Sequence, residues 1–443
     1  MPADRKHPCV RVLGIGHCND LGDLYLRVAQ AGHEVRVHIA EEDSSDIFEG
    51  MLDRSADWRA DLGWIREGRG LLVFETTGFG AEQDALRAEG FRVFGGSAVG
   101  DRLELDRSYG QSMLSAVGMR TAPTHRFESF DDAIAFVERV RSRFVLKFNG
   151  EGFASTRNYV GVLPEGEDMV AMLRVQRSHW IYEEEPDFVL MQHIRGVEVG
   201  VGGFFDGRAF LSPINLDWEH KRFFPGNLGE LTGEMGTLVS YRGGDRLFAA
   251  TLGRLAPLLR ESGYAGYINL NMIVNDDGAW PLELTSRFGY PGFAILGALH
   301  AEPWDVILSR VVDRSGDSFA THDGFAIGVV LTVPPFPYHD GYDRLSRGAP
   351  ITFRRDLTDA DRHELHYGEV RLDPRDREAL VAAGTIGYLM VVTGRGPTVA
   401  DARSRAYALA EKVVVPNLRY RNDIGEGFEA HDRVELERLG WLG

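Results

Sequence analysis

Lys147 stands inside FVLKFNGEG, after a mostly apolar run and just ahead of Gly150 and Gly152. A strand fixes the height of a lysine, and a glycine-containing loop lets the backbone close on an anion. The pattern therefore fits a nucleotide-phosphate site, although a surface lysine beside a turn produces the same string. Glu198 and Glu283 both fall at strand-associated positions, and YINLNMIVNDDGAWPLEL reads as strand, acidic turn and second strand. Such a hairpin brings Asn271 close to Glu283. Oxygen ligands of this kind suit Mg²⁺, which neutralises nucleotide phosphates and orients a transferring phosphoryl group; hairpin polarity and surface charge are the plainer reading. The run EHKR at residues 219–222 adds His220, Lys221 and Arg222 as candidates for phosphate or carboxylate binding, against a solvated charge run. Arg287, in ELTSRFGYPG, offers a planar fork matched to a substrate carboxylate, or a structural ion-pair partner.

These residues need elements to hold them. VRVLGIG reads as strand and turn, LGDLYLRVAQAG as an amphipathic helix and HEVRVHIA as a second strand, a β-α-β start. GLLVFETTGFG, AEQDALRAEG and FRVFGG repeat the rhythm, giving an α/β domain over residues 8–100. Gly14, Gly16 and Glu41 are compatible with a dinucleotide site, but Asn19 occupies the third glycine position, and tight strand-to-helix turning accounts for both glycines. A helical connector is expected over 101–120 and a lid or subdomain over 121–200, built on SFDDAIAFVERV, the strand and glycine loop of FVLKFNGEGFAS, and the strands of DFVLMQHIRGVEVGVGGFFDG. Residues 201–330 read as a catalytic section, with FAATLGRLAPLLRESG as its helix. Short β segments and the helix TVADARSRAYALAEKV make a final α/β domain over 331–430.

The chain's 443 residues, 44% hydrophobic and 26% charged, are ample for several packed units. A net charge of −17 argues against an extended nucleic-acid surface, while a local cationic cluster can still hold phosphate. Only Cys9 and Cys18 occur, so neither a disulfide framework nor a cysteine-rich metal site is expected. No stretch approaches the roughly 18 apolar residues of a membrane span, and the start lacks a secretory cleavage pattern. A cytoplasmic protein without a membrane partner is expected.

Taken in order, these segments resemble the ATP-grasp superfamily and, within it, the phosphoribosylamine–glycine ligase family. The similarity runs from about residue 8 to 425 through FGGSAVGDRLELDRSYGQSMLSAVGMRTAPTHRF, FVLKFNGEG, VLMQHIRGVEVG, EHKRFFPGNLGELTGEMG, GYINLNMIVNDDGAWPLELTSRFGYPG, VVTGRGPTVADARSRAYALAEKV and YRNDIG. The resemblance implies a multidomain α/β ATP-grasp fold, with a Rossmann-like N-terminal domain and a small C-terminal mixed domain. It implies ATP and Mg²⁺ (or Mn²⁺) as cofactors, with a carboxylic acid and an amine as substrates, in a monomer or homodimer. Arg107 matches a phosphate-binding lysine position and Lys147 the second nucleotide lysine. Residues 189–193, including Met191, Gln192 and His193, would edge the adenine pocket chiefly through backbone groups, and Glu198 would support the nucleotide or cation. Glu283 would be a metal ligand with Asn271 as companion, and Arg287 would hold the substrate carboxylate. The reaction implied is amide formation through an acyl phosphate.

The departures concern the substrates. GIGHCNDLG replaces the usual GGREH-like start, FAST replaces a glycine-lysine-glycine stretch, Met191 and Gln192 replace paired acids, Thr285 replaces an asparagine, and GELTGEMG replaces GPNTGGMG. They favour a ligase with different substrates. The authentic purine enzyme and a noncatalytic nucleotide-binding regulator are the alternatives, with a nicotinamide oxidoreductase further off. Asp20 and Asp23 would oppose a phosphoribosyl group if they face inward, and would be a benign helix start if they face water.

Overall fold

The computed structural model describes residues 9–149, 158–181 and 185–442. The N-terminal sheet has five parallel strands in the order Asp53–Arg54, Glu34–Ile39, Arg11–Gly16, Leu71–Phe74 and Arg92–Phe94. LLVF is buried along its whole length, as befits a parallel strand covered on both faces. The chain fills one side of the first strand and then the other. A crevice therefore opens between the C-terminal ends of Arg11–Gly16 and Leu71–Phe74, where Asp20 and Glu75 lie close together.

The glycines of the first strand have a packing cause beyond the tight turn expected. A Cβ on Gly14 would sit 2.3 Å from the Tyr25 ring, and one on Gly16 would sit 2.8 Å from the Glu75 carboxyl carbon. Asn19 adopts a left-handed φ of 62°, which asparagine tolerates better than most residues. Asp23 neither faces the crevice nor water: it is buried, 2.5 Å from Arg27 and 3.0 Å from His366 of the C-terminal region. We expect Gly14→Ala to destabilise the protein by about 1–3 kcal/mol and Tyr25→Leu to recover part of that loss. Thermal unfolding of the two single variants and the double variant checks this, and additive losses would contradict it.

Two short helices, Ala98–Leu105 and Arg107–Ala116, form the connector. Asp106 divides them. It ends the first helix in an extended conformation, and its carboxylate accepts the Tyr109 N–H as N-cap of the second. That break sets Arg107 at the first position of a helix.

The lid sheet is antiparallel, in the order Thr124–Phe127, Phe188–Gln192, Phe144–Phe148, Tyr159–Val160. Ser129 caps the helix Phe130–Val140, whose Phe130, Ala133, Ile134 and Val137 fall on one stripe and are buried. Helix Glu167–Ser178 packs beside it over the same aromatic core of Phe144, Phe148 and Phe188.

The central sheet is antiparallel and eight-stranded: Gly278–Thr285, Gly266–Asn275, Val197–Phe205, Asn215–Glu219, Gly236–Ser240, Phe325–Thr332, Tyr388–Gly396, Leu365–Tyr367. Its last two strands come from beyond residue 330, so a division there cuts through a sheet. A separate four-stranded sheet, Val370–Asp373, Asp376–Ala382, Pro350–Phe353 and Val413–Val414, completes the C-terminal region. The stretch expected as one helix at 248–263 is broken: Asp245–Ala250, a 3-10 turn at Leu252–Leu255, then Ala256–Glu261. Pro257 explains the restart, since it lacks an N–H and crowds the preceding turn.

Stacked rings of Phe94, Phe288 and Tyr267, with Phe204 edge-on, tie the N-terminal sheet to the central one. No helix among the described residues is long and apolar enough to cross a membrane.

Candidate active site

Between the lid, the connector and the central sheet lies a cavity of about 570 Å³. Its polar centre is Glu283, on the edge strand Gly278–Thr285. Lys147, from the lid strand Phe144–Phe148, places Nζ 3.2 Å from Glu283 Oε2. Lys221, from the turn after Asn215–Glu219, places Nζ 3.1 Å from Oε1. Arg107 approaches Oε2 at 3.6 Å. Three separate regions of the chain thus converge on one carboxylate. Lys147, Lys221 and Arg107 hold the Glu283 carboxyl well below the ordinary carboxylate range. Burial lowers the Lys147 pKa, with Glu283 opposing. For Lys221 burial works the same way, but Glu198, Glu219 and Glu283 outweigh it and hold the ammonium well above its ordinary value.

Asn271 pairs across the hairpin with Glu283. Its Nδ2 donates to Glu198 and to Glu219, each at 3.1 Å, while its buried Oδ1 has no hydrogen-bond partner among the described residues. An ionised Glu283 and an orphaned amide oxygen on adjacent strands are chemically suited to a hard cation. No group of three or more His, Cys, Asp or Glu side chains among the described residues forms a ready metal cage. An ion here would therefore draw its remaining ligands from phosphate oxygens and water, as Mg²⁺ commonly does.

Arg287 follows the same edge strand. Glu104, on the connector helix, accepts from Arg287 Nε at 3.0 Å and from the Ser286 N–H at 2.7 Å. Glu104 first, and Asp20 in addition, raise the Arg287 pKa above its ordinary value. Nε and Nη1 are engaged, the latter by the Phe288 carbonyl, which leaves the Nη2 edge for a ligand. Asp20 lines the same cavity, so of the two acids at the N-terminal turn it is the one that faces inward.

The other expected residues fall into three groups. Met191 lines the cavity with Val189, and Glu198 joins the cluster through Lys221 at 3.1 Å. Gln192 and His193 do not line the cavity: Gln192 donates its N–H to the Pro123 carbonyl and His193 to that of Arg143, bonds that fasten the lid sheet. Gly150 and Gly152 lie outside the described residues.

Within EHKR, only Lys221 and Glu219 reach the cavity. His220 points the opposite way along the strand and accepts the Gly425 N–H at Nε2; burial and nearby Arg421 push its pKa down to about 4. Arg222 donates to the Gly229 carbonyl in the hairpin that follows. Alternation along an extended chain sends neighbours to opposite faces, so His220 and Arg222 are corrected to structural roles while Lys221 stays at the site. Sequence reasoning missed Glu104, Glu219, Glu234 and Asp217. Two of them carry a signal: Asp217 and Glu219 alternate with the apolar Leu216 and Trp218 and fall in step with Lys221.

Comparison with known proteins accords with this geometry. Residues 105–293 match the family described as phosphoribosylglycinamide synthetase, ATP-grasp (A) domain. The chain is 26% identical to the phosphoribosylamine–glycine ligase of Halalkalibacterium halodurans, over 94% of this chain and 96% of that one. In fold it resembles the crystal structure of phosphoribosylamine–glycine ligase from Thermotoga maritima, with a TM-score of 0.71 at 21% identity, covering 94% of this chain and 100% of that one. It also resembles the biotin carboxylase domain of the 2-oxoglutarate carboxylase of Hydrogenobacter thermophilus, solved with MgADP, ADP and bicarbonate. There the TM-score is 0.62 at 11% identity, with 98% of each chain covered. Residues 105–293 thus match an ATP-grasp domain, and the chain is similar over nearly its whole length to phosphoribosylamine–glycine ligases.

Proposed function

We propose that this protein is an ATP-dependent, ADP-forming ligase that joins a carboxylic acid to an amine through an acyl phosphate, with substrates other than phosphoribosylamine and glycine. The observation that carries the reaction class is the convergence of Arg107, Lys147 and Lys221 on Glu283 inside the cavity. Arg107 and Lys147 have Glu283 as their shared counter-charge, Lys221 is divided among Glu283, Glu198 and Glu219, and three cationic heads gathered at one point match a polyphosphate.

Glu283 and the Asn271 Oδ1 would hold Mg²⁺, which supplies charge neutralisation on the nucleotide phosphates when bound. With Glu283 engaged by the ion, Lys147 and Arg107 would be free to meet the phosphate oxygens, with Lys221 beside them. The donors are prearranged, so they stabilise charge on the transferring phosphoryl group with little reorganisation. The acid's carboxylate oxygen takes the γ-phosphoryl group and ADP leaves. Arg287, steadied by Glu104, orients that carboxylate. The amine then attacks the carbonyl carbon, loses its proton and expels inorganic phosphate. The lid shields the acyl phosphate from water. No side-chain nucleophile is needed: Cys9 is exposed, and Cys18 donates to Glu41.

Two observations favour changed substrates. Asp20 faces the cavity beside Arg287, where its charge would repel a phosphate monoester. Glu234, buried deeper in the same cavity, adds another carboxylate. The test is a panel of acids and amines, with glycine and phosphoribosylamine included, read for ADP release and by untargeted product mass. A product of acid plus amine less water, equimolar with ADP, is expected from another pair. Glycinamide ribonucleotide as the dominant product would return the chain to the reaction its relatives are named for. Nucleotide binding without ADP formation across the panel would point to a regulator.

Arg287→Lys should raise the KM for the acid about tenfold, since a lysine cannot hold Glu104 and the Phe288 carbonyl while presenting a further N–H edge to the carboxylate, while the KM for ATP stays put. Equal KM for the acid in both proteins would remove Arg287 from substrate binding.

A further inference from the structure

Next to the cavity, and sharing Glu219 and Glu234 with it, a second chamber of about 30 Å³ lies between the central sheet and the helix Gly292–Leu299. Asp217, Glu234 and Thr237 line it and are 5%, 6% and 3% exposed. One oxygen of each, Asp217 Oδ1, Glu234 Oε1 and Thr237 Oγ1, has no hydrogen-bond partner among the described residues. Asp217 is otherwise braced: Asn215 and Asn269 donate to its Oδ2 at 2.9 and 2.6 Å. Gly200 of the neighbouring strand leaves room for this carboxylate, since a Cβ there would stand 1.9 Å from Asp217 Oδ1. Lys221 is the nearby cation, but its ion pairs go to Glu198, Glu219 and Glu283; neither Asp217 nor Glu234 has an ion-pair partner among the described residues.

Buried carboxylates without a cation are costly, and unmatched acceptors add to the cost. Burial, reinforced by Glu219, raises the pKa of both Asp217 and Glu234, and a cation held between them would favour their charged forms. Three orphaned acceptors correspond to the three donors of a primary ammonium group. The volume is that of one water-sized group, which excludes a guanidinium. A divalent ion is disfavoured because no three carboxylates among the described residues converge as metal ligands.

We propose that this chamber binds a primary ammonium group carried by the substrate in addition to its reacting groups, so that the ligase acts on a diamine or a basic amino acid. The proposal rests on the ligase reading for its place in a reaction, but the binding itself does not require turnover.

The test is equilibrium binding to the full chain, with and without ADP and Mg²⁺. One pair of probes is 1,4-diaminobutane against 4-amino-1-butanol; the other is lysine against norleucine. Each pair differs in one ammonium, and the two pairs distinguish a diamine from an amino acid. We expect at least one dication to bind about tenfold or more tightly than its partner, a difference of about 1.4 kcal/mol. Asp217→Asn and Glu234→Gln, made separately, should each remove most of that preference and leave ADP affinity within about twofold. Retained ADP binding certifies the fold. Equal binding within both pairs, no binding of either dication, or a preference that survives in both variants would overturn the proposal. Preference for the dication in a protein that never forms ADP would sink the ligase reading and leave the chamber. Amide formation from amines without a second ammonium would do the reverse.

Discussion

Lys147→Ala is expected to lower kcat for ADP formation by about 100- to 1,000-fold, the usual cost of removing one prearranged donor from a developing charge. The fold should survive. Glu283 keeps Lys221 at 3.1 Å and Arg107 at 3.6 Å, so no buried carboxylate is stranded. The rest of Lys147's strand contributes Phe144, Leu146 and Phe148 to the lid core, and these are untouched. Lys147→Arg keeps the charge but exchanges a compact ammonium for a planar fork in a space already shared with two other cations, so only partial recovery should follow. Initial rates against ATP concentration, with circular dichroism as the check on folding, decide it. An alanine variant with parental turnover and ATP affinity would remove Lys147 from phosphoryl transfer.

Glu283→Gln should have an effect of similar size with a different signature. The amide keeps the shape of the side chain but withdraws the one negative charge on which Arg107, Lys147 and Lys221 converge. Without nucleotide Arg107 and Lys147 then lose the carboxylate between them, while Lys221 keeps Glu198 and Glu219, and the variant should melt earlier than the parent. A bound polyphosphate replaces the missing charge, so added ATP should restore more melting temperature in the variant than in the parent. The metal dependence moves the other way: the Mg²⁺ concentration for half-maximal ADP formation should rise about tenfold or more, with the maximal rate falling about 100-fold. Titration of Mg²⁺ at fixed ATP separates the two effects. Identical Mg²⁺ curves for parent and variant would show that Glu283 is no metal ligand.

Much of this was legible in the sequence because the site is built on strands. Lys147 precedes its glycines at the end of an apolar run, and the acidic turn of YINLNMIVNDDGAWPLEL sets Asn271 opposite Glu283 in the observed register. Strand periodicity could have yielded more. Asn215, Asp217 and Glu219, then Tyr267, Asn269 and Asn271, and finally Glu283 and Thr285 each alternate with apolar residues, and each series turns one face toward the cavity or the chamber. EHKR read as a single cationic cluster takes in His220 and Arg222, which the alternation turns away from the cavity, and leaves out Glu219, which it turns inward. The change from GPNTGGMG to GELTGEMG was visible as a departure, but nothing local shows that Glu234 turns inward to face Asp217 from another part of the chain. Glu104 was hidden for the same reason: its partner Arg287 is 183 residues away. Contacts of that separation are set by how the connector helix seats on the central sheet. The glycines of GIGHCNDLG illustrate a third limit, since the side chains that demand them, Tyr25 and Glu75, are defined only once the parallel sheet is assembled.

The central claim is that ATP activates a carboxylate as its acyl phosphate, and oxygen tracing tests it most directly. The protein would be given ATP, Mg²⁺, a pool of candidate amines and a pool of carboxylic acids labelled with ¹⁸O in both carboxyl oxygens, and the inorganic phosphate released would be weighed by mass spectrometry. An acyl phosphate hands one carboxylate oxygen to the phosphate when the amine displaces it, so each phosphate released by ligation should carry one ¹⁸O and appear with one ADP. Unlabelled phosphate would mean that water, not a carboxylate, receives the phosphoryl group, and AMP with pyrophosphate would mean adenylation; either result would contradict the account.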